Sequence, residues 1–309
     1  MSLHVIVGAG PVGSSVARLL AGRGERVRIV SRSGRGPDEP GIERIRADAA
    51  QAPRMQDLAE GATAIYNCAR PAYQRWPADW PPLAGSLLHA AESSGAVLAI
   101  TSSLHGYGPV DSPMTESMPL RPRTTEGAVR TRIWHDALEA HRAGRLRVTE
   151  VRGSDYVGAG ADSFLTRQVI PKVLAGERIV VPADLDAPHS WTYVGDVART
   201  LVAAAAEERA WGRPWNVPTA APASIREVAQ RVAGLAGIPL PPLASRSPFR
   251  VWAGSVLDPT VRAQREADYQ YRRPFIVDSS AATNTFGIQP TPLDEALRAT
   301  IDAMAVRTR

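Results

Sequence analysis

Residues 3–22 read LHVIVGAGPVGSSVARLLAG, and this stretch decides the fold. It begins with an apolar run, Leu3–Val7, which has the composition of a buried strand. Three glycines follow with the spacing Gly-x-Gly-x-x-Gly, at Gly8, Gly10 and Gly13. The residues after them repeat apolar side chains at helical spacing. A strand, a glycine turn and a helix in this order are the context that the dinucleotide fingerprint requires.

Each glycine of this turn has a physical role. Gly8 permits the tight turn, Gly10 lets the backbone approach a pyrophosphate, and Gly13 lets the helix pack closely on the strand. The N–H groups and the dipole at the start of the helix, where Pro11 and Val12 lie, attract the phosphate charge. We therefore predict that these five residues bind a dinucleotide.

The end of the second predicted strand indicates which dinucleotide. Enzymes that use NAD usually carry an acidic residue there, which accepts from the ribose 2′-hydroxyl. This chain instead has Ser31 and Arg32, with Arg35 nearby. An acid would repel a 2′-phosphate, whereas a guanidinium can bind it in bidentate fashion. We predict NADP as the cofactor, with NAD as the second choice.

Strand-like and helix-like segments alternate as far as Gly158, including predicted helices over Leu83–Ser94 and Thr131–Ala143. This alternation predicts an α/β protein with a Rossmann-type doubly wound parallel sheet. The pattern then loosens. We predict a dinucleotide-binding domain of residues 1–158 plus about 188–218. A smaller, mostly C-terminal substrate-binding lobe would contain about 159–187 plus 219–309.

Composition narrows the function classes. The 36 basic and 31 acidic residues leave a net charge of +5, without a basic block, so a nucleic-acid partner is not expected. The single cysteine, Cys68, excludes an internal disulfide and fits the cytoplasm. No histidine pair has ligand spacing, so no metal is expected. We also find no apolar run that would span a membrane and no secretory signal.

Further motifs follow the glycine turn in order. They are Arg46-Ala47-Asp48, Asn67-Cys68-Ala69, Thr101-Ser102-Ser103 with Tyr107-Gly108, the stretch VRGSDYVG at 151–158, and YVGDVA at 193–198. Over nearly the whole chain, this order resembles the extended short-chain dehydrogenase/reductase superfamily, specifically its NAD-dependent epimerase/dehydratase group. The resemblance implies that Asp48 binds the adenine and that Cys68 and Ala69 line the cofactor. Because dimers are common in the family, it also implies a homodimer.

The sequence departs from the family at the catalytic motif. The family uses Tyr-x-x-x-Lys, in which the lysine lowers the pKa of the tyrosine and holds the nicotinamide ribose. The chain has one lysine, Lys172, and Gln168 stands four residues before it. In the aligned slot Glu126 replaces the tyrosine and Arg130 replaces the lysine. Arg130 can bind ribose or phosphate but cannot release a proton near neutral pH.

Several side chains are candidates for the missing acid/base function. Ser103 keeps the position of the family serine, although it can equally cap the strand end. Tyr107 can donate a proton, Glu126 is a base if it is buried, and Asp155 follows the sixth strand. His105 titrates in the useful range, but we expect it on a surface loop. The predicted catalytic set is Ser103, Tyr107, Glu126, Arg130 and Asp155.

The substrate side also differs from the family pattern. Nucleotide-sugar epimerases carry an arginine that grips the nucleotide phosphate, and His189 occupies its place here. Tryptophans are frequent in the predicted loops. Together these features predict a small, partly apolar substrate, contacted by Trp76, Tyr156, His189 and Trp191.

Three functions remain open on this basis. The first is an NADP-dependent oxidoreductase or epimerase/dehydratase-like enzyme that acts on a small carbonyl or alcohol at a non-standard site. The second is a regulator or sensor that binds NAD(P) without redox turnover. The third is a non-redox isomerase, lyase or cyclase. The polar residues expected near the nicotinamide favour an enzyme.

Overall fold

The structure is a computed structural model that describes residues 1–72, 75–246 and 268–307. Its centre is a sheet of seven parallel strands with the spatial order β10-β6-β5-β4-β1-β2-β3. Numbered along the chain, they are β1 (Leu3–Val7), β2 (Arg26–Ser31), β3 (Ile42–Arg46), β4 (Ala62–Asn67), β5 (Val97–Ser103), β6 (Arg147–Gly153) and β10 (Pro214–Asn216). The predicted Rossmann-type doubly wound parallel sheet is confirmed.

Helices cover both faces of this sheet. One face carries α2 (Ala52–Ala59), α3 (Trp76–Ser94) and α4 (Thr125–Arg142), and the other carries α1 (Pro11–Ala21) and α6 (Val194–Ala206). Successive side chains of a strand point to opposite faces of the sheet, so each strand contributes to the hydrophobic core on both sides. In β1, Val5 and Val7 pack in one core cluster and Ile6 packs in the other. Because both faces are covered, the central strand β1 is buried along its whole length and is apolar except for His4.

The glycine turn is fixed by hydrogen bonds to the neighbouring strands. The Gly8 N–H donates to the Val30 carbonyl at 2.9 Å, and the Cys68 N–H donates to the Val7 carbonyl at 2.9 Å. The carboxyl ends of β1, β2 and β4 therefore meet at one edge. Since the connection order reverses between β1 and β4, this edge is the switch point where ligands bind in such sheets.

A smaller lobe packs over that edge. It contains two parallel strand pairs, β7 (Asp155–Val157) with β9 (Trp191–Tyr193) and β8 (Ile179–Val181) with β11 (Leu243–Ser245). Its helices are α5 (Ile170–Leu174), α7 (Ile225–Ala236) and α9 (Leu293–Arg307), whereas α8 (Ser280–Phe286) packs on Trp215 beside the sheet. Part of the predicted lobe, residues 247–267, lies outside the described residues. In the ranges described, no helix is long and apolar enough to cross a membrane.

Two helices begin earlier than the sequence pattern predicts. The α3 helix starts at Trp76 rather than Leu83, because Pro77 in the first turn costs no hydrogen bond. Pro81 and Pro82 each remove one backbone hydrogen bond from the helix, and the burial of Trp76 and Trp80 offsets that loss. The α4 helix starts at Thr125 rather than Thr131.

A side-chain cap fixes the start of α4. The Thr124 side chain accepts from the Gly127 N–H at 3.0 Å. This earlier start places Glu126 and Arg130 on the same helix, one turn apart.

Candidate functional site

A cleft of about 1450 Å³ runs along the carboxyl edge of the sheet and under the smaller lobe. One end is lined by Gly8–Val12, and the other by the aromatic side chains of Phe164, Tyr271 and Phe275. Between them lie the ends of β4, β5 and β6. The cleft thus joins the predicted dinucleotide turn to three of the predicted catalytic residues, Ser103, Arg130 and Asp155.

The three glycines of the turn differ in what surrounds them. Gly8 has φ +103°, and a Cβ there would lie 2.6 Å from the Cys68 carbonyl oxygen. A Cβ on Gly13 would lie 1.9 Å from the Gly8 carbonyl oxygen, so both residues are required by the fold. A Cβ on Gly10 would meet no described atom within 4 Å, and Gly10 lines the cleft. No side chain caps α1, so its first N–H groups and the open space at Gly10 fit a pyrophosphate.

The opposite side of the turn is basic. Ser31, Arg32 and Arg35 all line the cleft, and the Ser31 hydroxyl donates to the Arg35 carbonyl at 2.9 Å. Asp48 lines it as well and accepts from the Ala50 N–H at 3.0 Å. Two exposed guanidinium groups therefore stand at the end of β2, beside the adenosine end of the predicted cofactor.

The β4 end supplies an uncharged wall. Cys68 and Ala69 line the cleft, and the Thr101 hydroxyl contacts the Cys68 sulfur at 3.6 Å. Burial raises the pKa of the Cys68 thiol to about 12, so this side chain is neither a nucleophile nor a charge at neutral pH. The structure brings all the predicted cofactor residues to the cleft surface except Gly13, which lies behind it.

Arg130, which we predict in the slot of the family lysine, lines the cleft. Its Nη1 donates to the Thr101 carbonyl at 3.0 Å, while its Nε has no partner among the described residues. Burial lowers the pKa of Arg130 to about 10, which leaves it cationic at neutral pH. A fixed positive charge therefore stands at the middle of the cleft.

Two indole rings hold this charge in place. The guanidinium carbon lies 4.2 Å from the Trp80 ring centroid and 4.9 Å from that of Trp76. The Trp76 Nε1–H donates to the Pro71 carbonyl at 3.0 Å, and both rings are buried. Trp76, predicted as a substrate contact, reaches the cleft wall but packs mainly against Arg130 and the core.

Ser103 and Asp155 lie together in the cleft, as predicted, and the structure adds His105 to them. His105 stands on a 3₁₀ turn, Leu104–Tyr107, that directly follows β5. Its Nδ1 is 3.3 Å from the Ser103 Oγ, and its side chain also hydrogen-bonds Gln270. Tyr271 donates its hydroxyl proton to the Asp155 carboxylate.

We expected His105 on a surface loop, and this expectation is wrong, because the lobe residues around Gln270 cover the turn. Its position two residues after the family serine was the available signal.

Tyr107 and Glu126 do not line the cleft in the described parts of the chain. The Tyr107 hydroxyl accepts from Arg152 Nη1 at 2.8 Å, and Arg152 in turn pairs with Glu150 at 2.6 Å. The 3₁₀ turn points this ring beneath the cleft, away from its wall. Glu126 is buried, and its Oε2 has no hydrogen-bond partner among the residues described.

The predicted substrate residues divide in the same way. Tyr156 lines the cleft, and its hydroxyl donates to the Ser102 carbonyl at 3.2 Å. His189 and Trp191 stack with ring centroids 4.0 Å apart behind Tyr271, inside the lobe, and do not reach the described cleft wall. Burial lowers the pKa of His189 to about 4. These two residues therefore support the lobe, and His189 is uncharged at neutral pH.

Comparisons with known proteins agree with this fold. The family model of the NAD dependent epimerase/dehydratase family matches residues 4–217. No curated protein sequence matches the chain.

Similar solved structures include MoeE5 in complex with UDP-glucose and NAD, which is 21% identical with a TM-score of 0.80 over 100% of both chains. A UDP-glucuronic acid 4-epimerase from Bacillus cereus, in complex with UDP-glucuronic acid and NAD, is 17% identical with a TM-score of 0.80 over 99% of both. A UDP-glucose 4-epimerase from Thermotoga maritima, with UDP-glucose, is 17% identical with a TM-score of 0.82 over 100% of both.

Proposed function

Because this chain belongs to the NAD dependent epimerase/dehydratase family, we propose that it is a nicotinamide dinucleotide-dependent enzyme that oxidises a small alcohol or reduces a small carbonyl. One observation carries the proposal. The cleft is continuous from the open backbone at Gly10, past the cation of Arg130, to the hydroxyl of Ser103. A bound dinucleotide and a substrate oxygen can therefore occupy it together.

We propose NADP as the cofactor. The support is the pair of guanidinium groups of Arg32 and Arg35 at the end of β2, where an NAD enzyme places an acid. The similar structures named above that hold a dinucleotide hold NAD, so both forms belong in the test. Their identity to this chain is too low to decide the question.

Different residues of the cleft would bind the cofactor and the substrate. A bound nicotinamide dinucleotide supplies or accepts a hydride. The start of α1 holds the pyrophosphate, Arg130 binds the nicotinamide ribose or a phosphate, and Ser103 hydrogen-bonds the substrate oxygen. Tyr156 closes one wall beside Ser102. Cofactor and substrate can therefore bind in this cleft without the tyrosine–lysine pair of the family.

The substrate end of the cleft favours an apolar group over a phosphate. The rings of Phe164 and Tyr271 stack there with centroids 4.3 Å apart. The Arg167 and Arg70 side chains both pair with Asp162, which offsets one of their two charges. We therefore propose a small aromatic or aliphatic alcohol or ketone as substrate. Arg246 lines the same end, so UDP-glucose is the matched test of an anionic substrate.

The experiment has two parts. Isothermal titration calorimetry measures the Kd of the purified protein for NADP and for NAD. Turnover is then followed by dinucleotide absorbance, with 1-phenylethanol, cyclohexanol and acetophenone as apolar probes and UDP-glucose as the anionic probe, the last also assayed for epimerisation. We expect tighter binding of NADP and turnover of an apolar probe. Tight dinucleotide binding without turnover of any probe would contradict the proposed enzyme activity and favour a sensor that binds the cofactor.

A further inference from the structure

Ser103 and His105 face each other on the wall of the cleft, 3.3 Å apart between Oγ and Nδ1. The His105 side chain also hydrogen-bonds Gln270. In a neutral imidazole one nitrogen donates and the other accepts. A ring that donates to the Gln270 amide oxygen and accepts from the Ser103 hydroxyl satisfies both contacts.

The charges around His105 suit a ring that gains a proton during the reaction. Burial lowers its pKa, and the carboxylates of Asp155 and Glu126 act against this effect. The resting ring is therefore neutral, and the two carboxylates offset part of the cost of protonating it. The charged and titratable groups that act on it lie on β7, α4 and the segment before β9: Asp155, Glu126, Arg130 and His189.

The other acid/base candidates are placed less well. Tyr107 lies beneath the cleft and is committed to Arg152, and Glu126 does not line the described cleft wall. Arg130 holds its proton at neutral pH. Asp155 also lines the cleft, but its carboxylate accepts from the Tyr271 hydroxyl. The Ser103–His105 pair lines the cleft and can change its proton count.

We propose that Ser103 and His105 form the proton relay of this site, in place of the family's tyrosine–lysine pair. In alcohol oxidation, the Ser103 Oγ accepts the proton of the substrate hydroxyl while its own proton passes to the His105 Nδ1. The substrate carbon gives its hydride to the oxidised dinucleotide, the alcohol becomes a carbonyl, and His105 ends as an imidazolium that later returns its proton to solvent. Ser103 touches the substrate, and His105 acts through it. The relay rests on the proposed function.

The first test does not use turnover. Nitrogen-15 NMR of the cofactor-free protein, with His105 assigned by its loss in the His105→Asn variant, reports which ring nitrogen carries the proton. We expect the neutral ring to be protonated on Nε2, with Nδ1 free to accept. A ring protonated on Nδ1 at neutral pH cannot accept from Ser103 and would overturn the relay.

The second test compares His105→Asn with the wild type on the best probe among 1-phenylethanol, cyclohexanol and UDP-glucose. An Asn side chain can still accept from Ser103 but cannot titrate. We expect kcat for oxidation to fall by about 10²–10⁴-fold, while the dinucleotide Kd stays within about threefold of wild type. The wild-type rate should fall as the pH drops through the pKa of His105, and the variant should lack this acid limb.

The exposed His135→Asn variant serves as the matched control and should behave as wild type. If His105→Asn keeps the wild-type rate and acid limb, the relay is wrong and the proposed function stands. If the wild type turns over none of the probes, the proposed function fails and the relay fails with it.

Discussion

The guanidinium carbon of Arg130 lies 4.2 Å from the centroid of the Trp80 ring, with the Trp76 ring on the same group at 4.9 Å. A desolvated cation over an indole is worth about 2 kcal/mol, and the Nη1 bond to the Thr101 carbonyl adds to this. Two aromatic rings therefore hold the cation that we predict in place of the family lysine. Its position depends on α3, whose early start at Trp76 supplies both rings.

Replacing Arg130 with methionine tests this arrangement. Arg130→Met keeps side-chain volume but removes the cation, so the lost cation–π contacts are offset by the removal of a buried charge, and we expect the free energy of unfolding to change by less than about 2 kcal/mol. The dinucleotide Kd should rise by about tenfold, because a ribose or phosphate contact is lost. Urea denaturation and calorimetry measure the two effects. Arg132→Met, on the exposed side of the same helix, should change neither, and unaltered dinucleotide binding in Arg130→Met would contradict the role given to it.

The parallel sheet and the dinucleotide turn could be predicted from sequence because their signals are local. The apolar strand before Gly8 and the spacing of the glycines are determined by residues within one β-α unit. The start of α3 could not be predicted from sequence, because Pro81 and Pro82 argue against a helix unless the burial of Trp76 and Trp80 is known.

The candidate site shows the same division. Ser103 and Arg130, which the order of motifs indicated, both line the cleft. His105 was missed because its environment is made by Gln270, which is 165 positions further along the printed chain. Tyr107 was chosen for its distance from Ser103 in sequence, and a 3₁₀ turn directs its ring to Arg152. Local spacing does not encode either outcome.

Gly10 and Gly13 should respond differently to the same added methyl group. In Gly10→Ala the new Cβ enters open space, so we expect a Tm close to wild type but a dinucleotide Kd raised by at least about tenfold, since the methyl group occupies the pyrophosphate position. In Gly13→Ala the Cβ lies 1.9 Å from the Gly8 carbonyl oxygen, so α1 must shift and the Tm should fall. Thermal unfolding and calorimetry separate the two. Wild-type dinucleotide affinity in Gly10→Ala would show that the pyrophosphate does not bind at this turn.

Arg32 should set the preference between the two dinucleotides. Arg32→Ala removes a guanidinium from the end of β2 without disturbing the core, because the side chain is exposed. We expect the Kd for NADP to rise by about tenfold, as for the loss of one charge-assisted contact, while the Kd for NAD changes by less than about twofold. Arg132→Ala is the control for a general loss of positive charge. Equal changes for both dinucleotides would show that Arg32 does not contact a 2′-phosphate.

His189 should make the protein sensitive to acid. Burial lowers its pKa from 6.5 to about 4 in the folded protein, so between these values the unfolded chain binds a proton that the folded chain does not. Stability is therefore complete above about pH 6.5 and falls as the pH drops towards 4, by about 3 kcal/mol in all. The phenyl ring of His189→Phe can stack on Trp191 and does not titrate, at the cost of the hydrogen bond from Nδ1 to the Ser190 carbonyl. Urea denaturation at pH 7 and pH 4.5 should show a smaller acid loss in His189→Phe than in wild type. The exposed His135→Asn variant should follow the wild type, and equal losses in all three proteins would mean that His189 titrates normally in the fold.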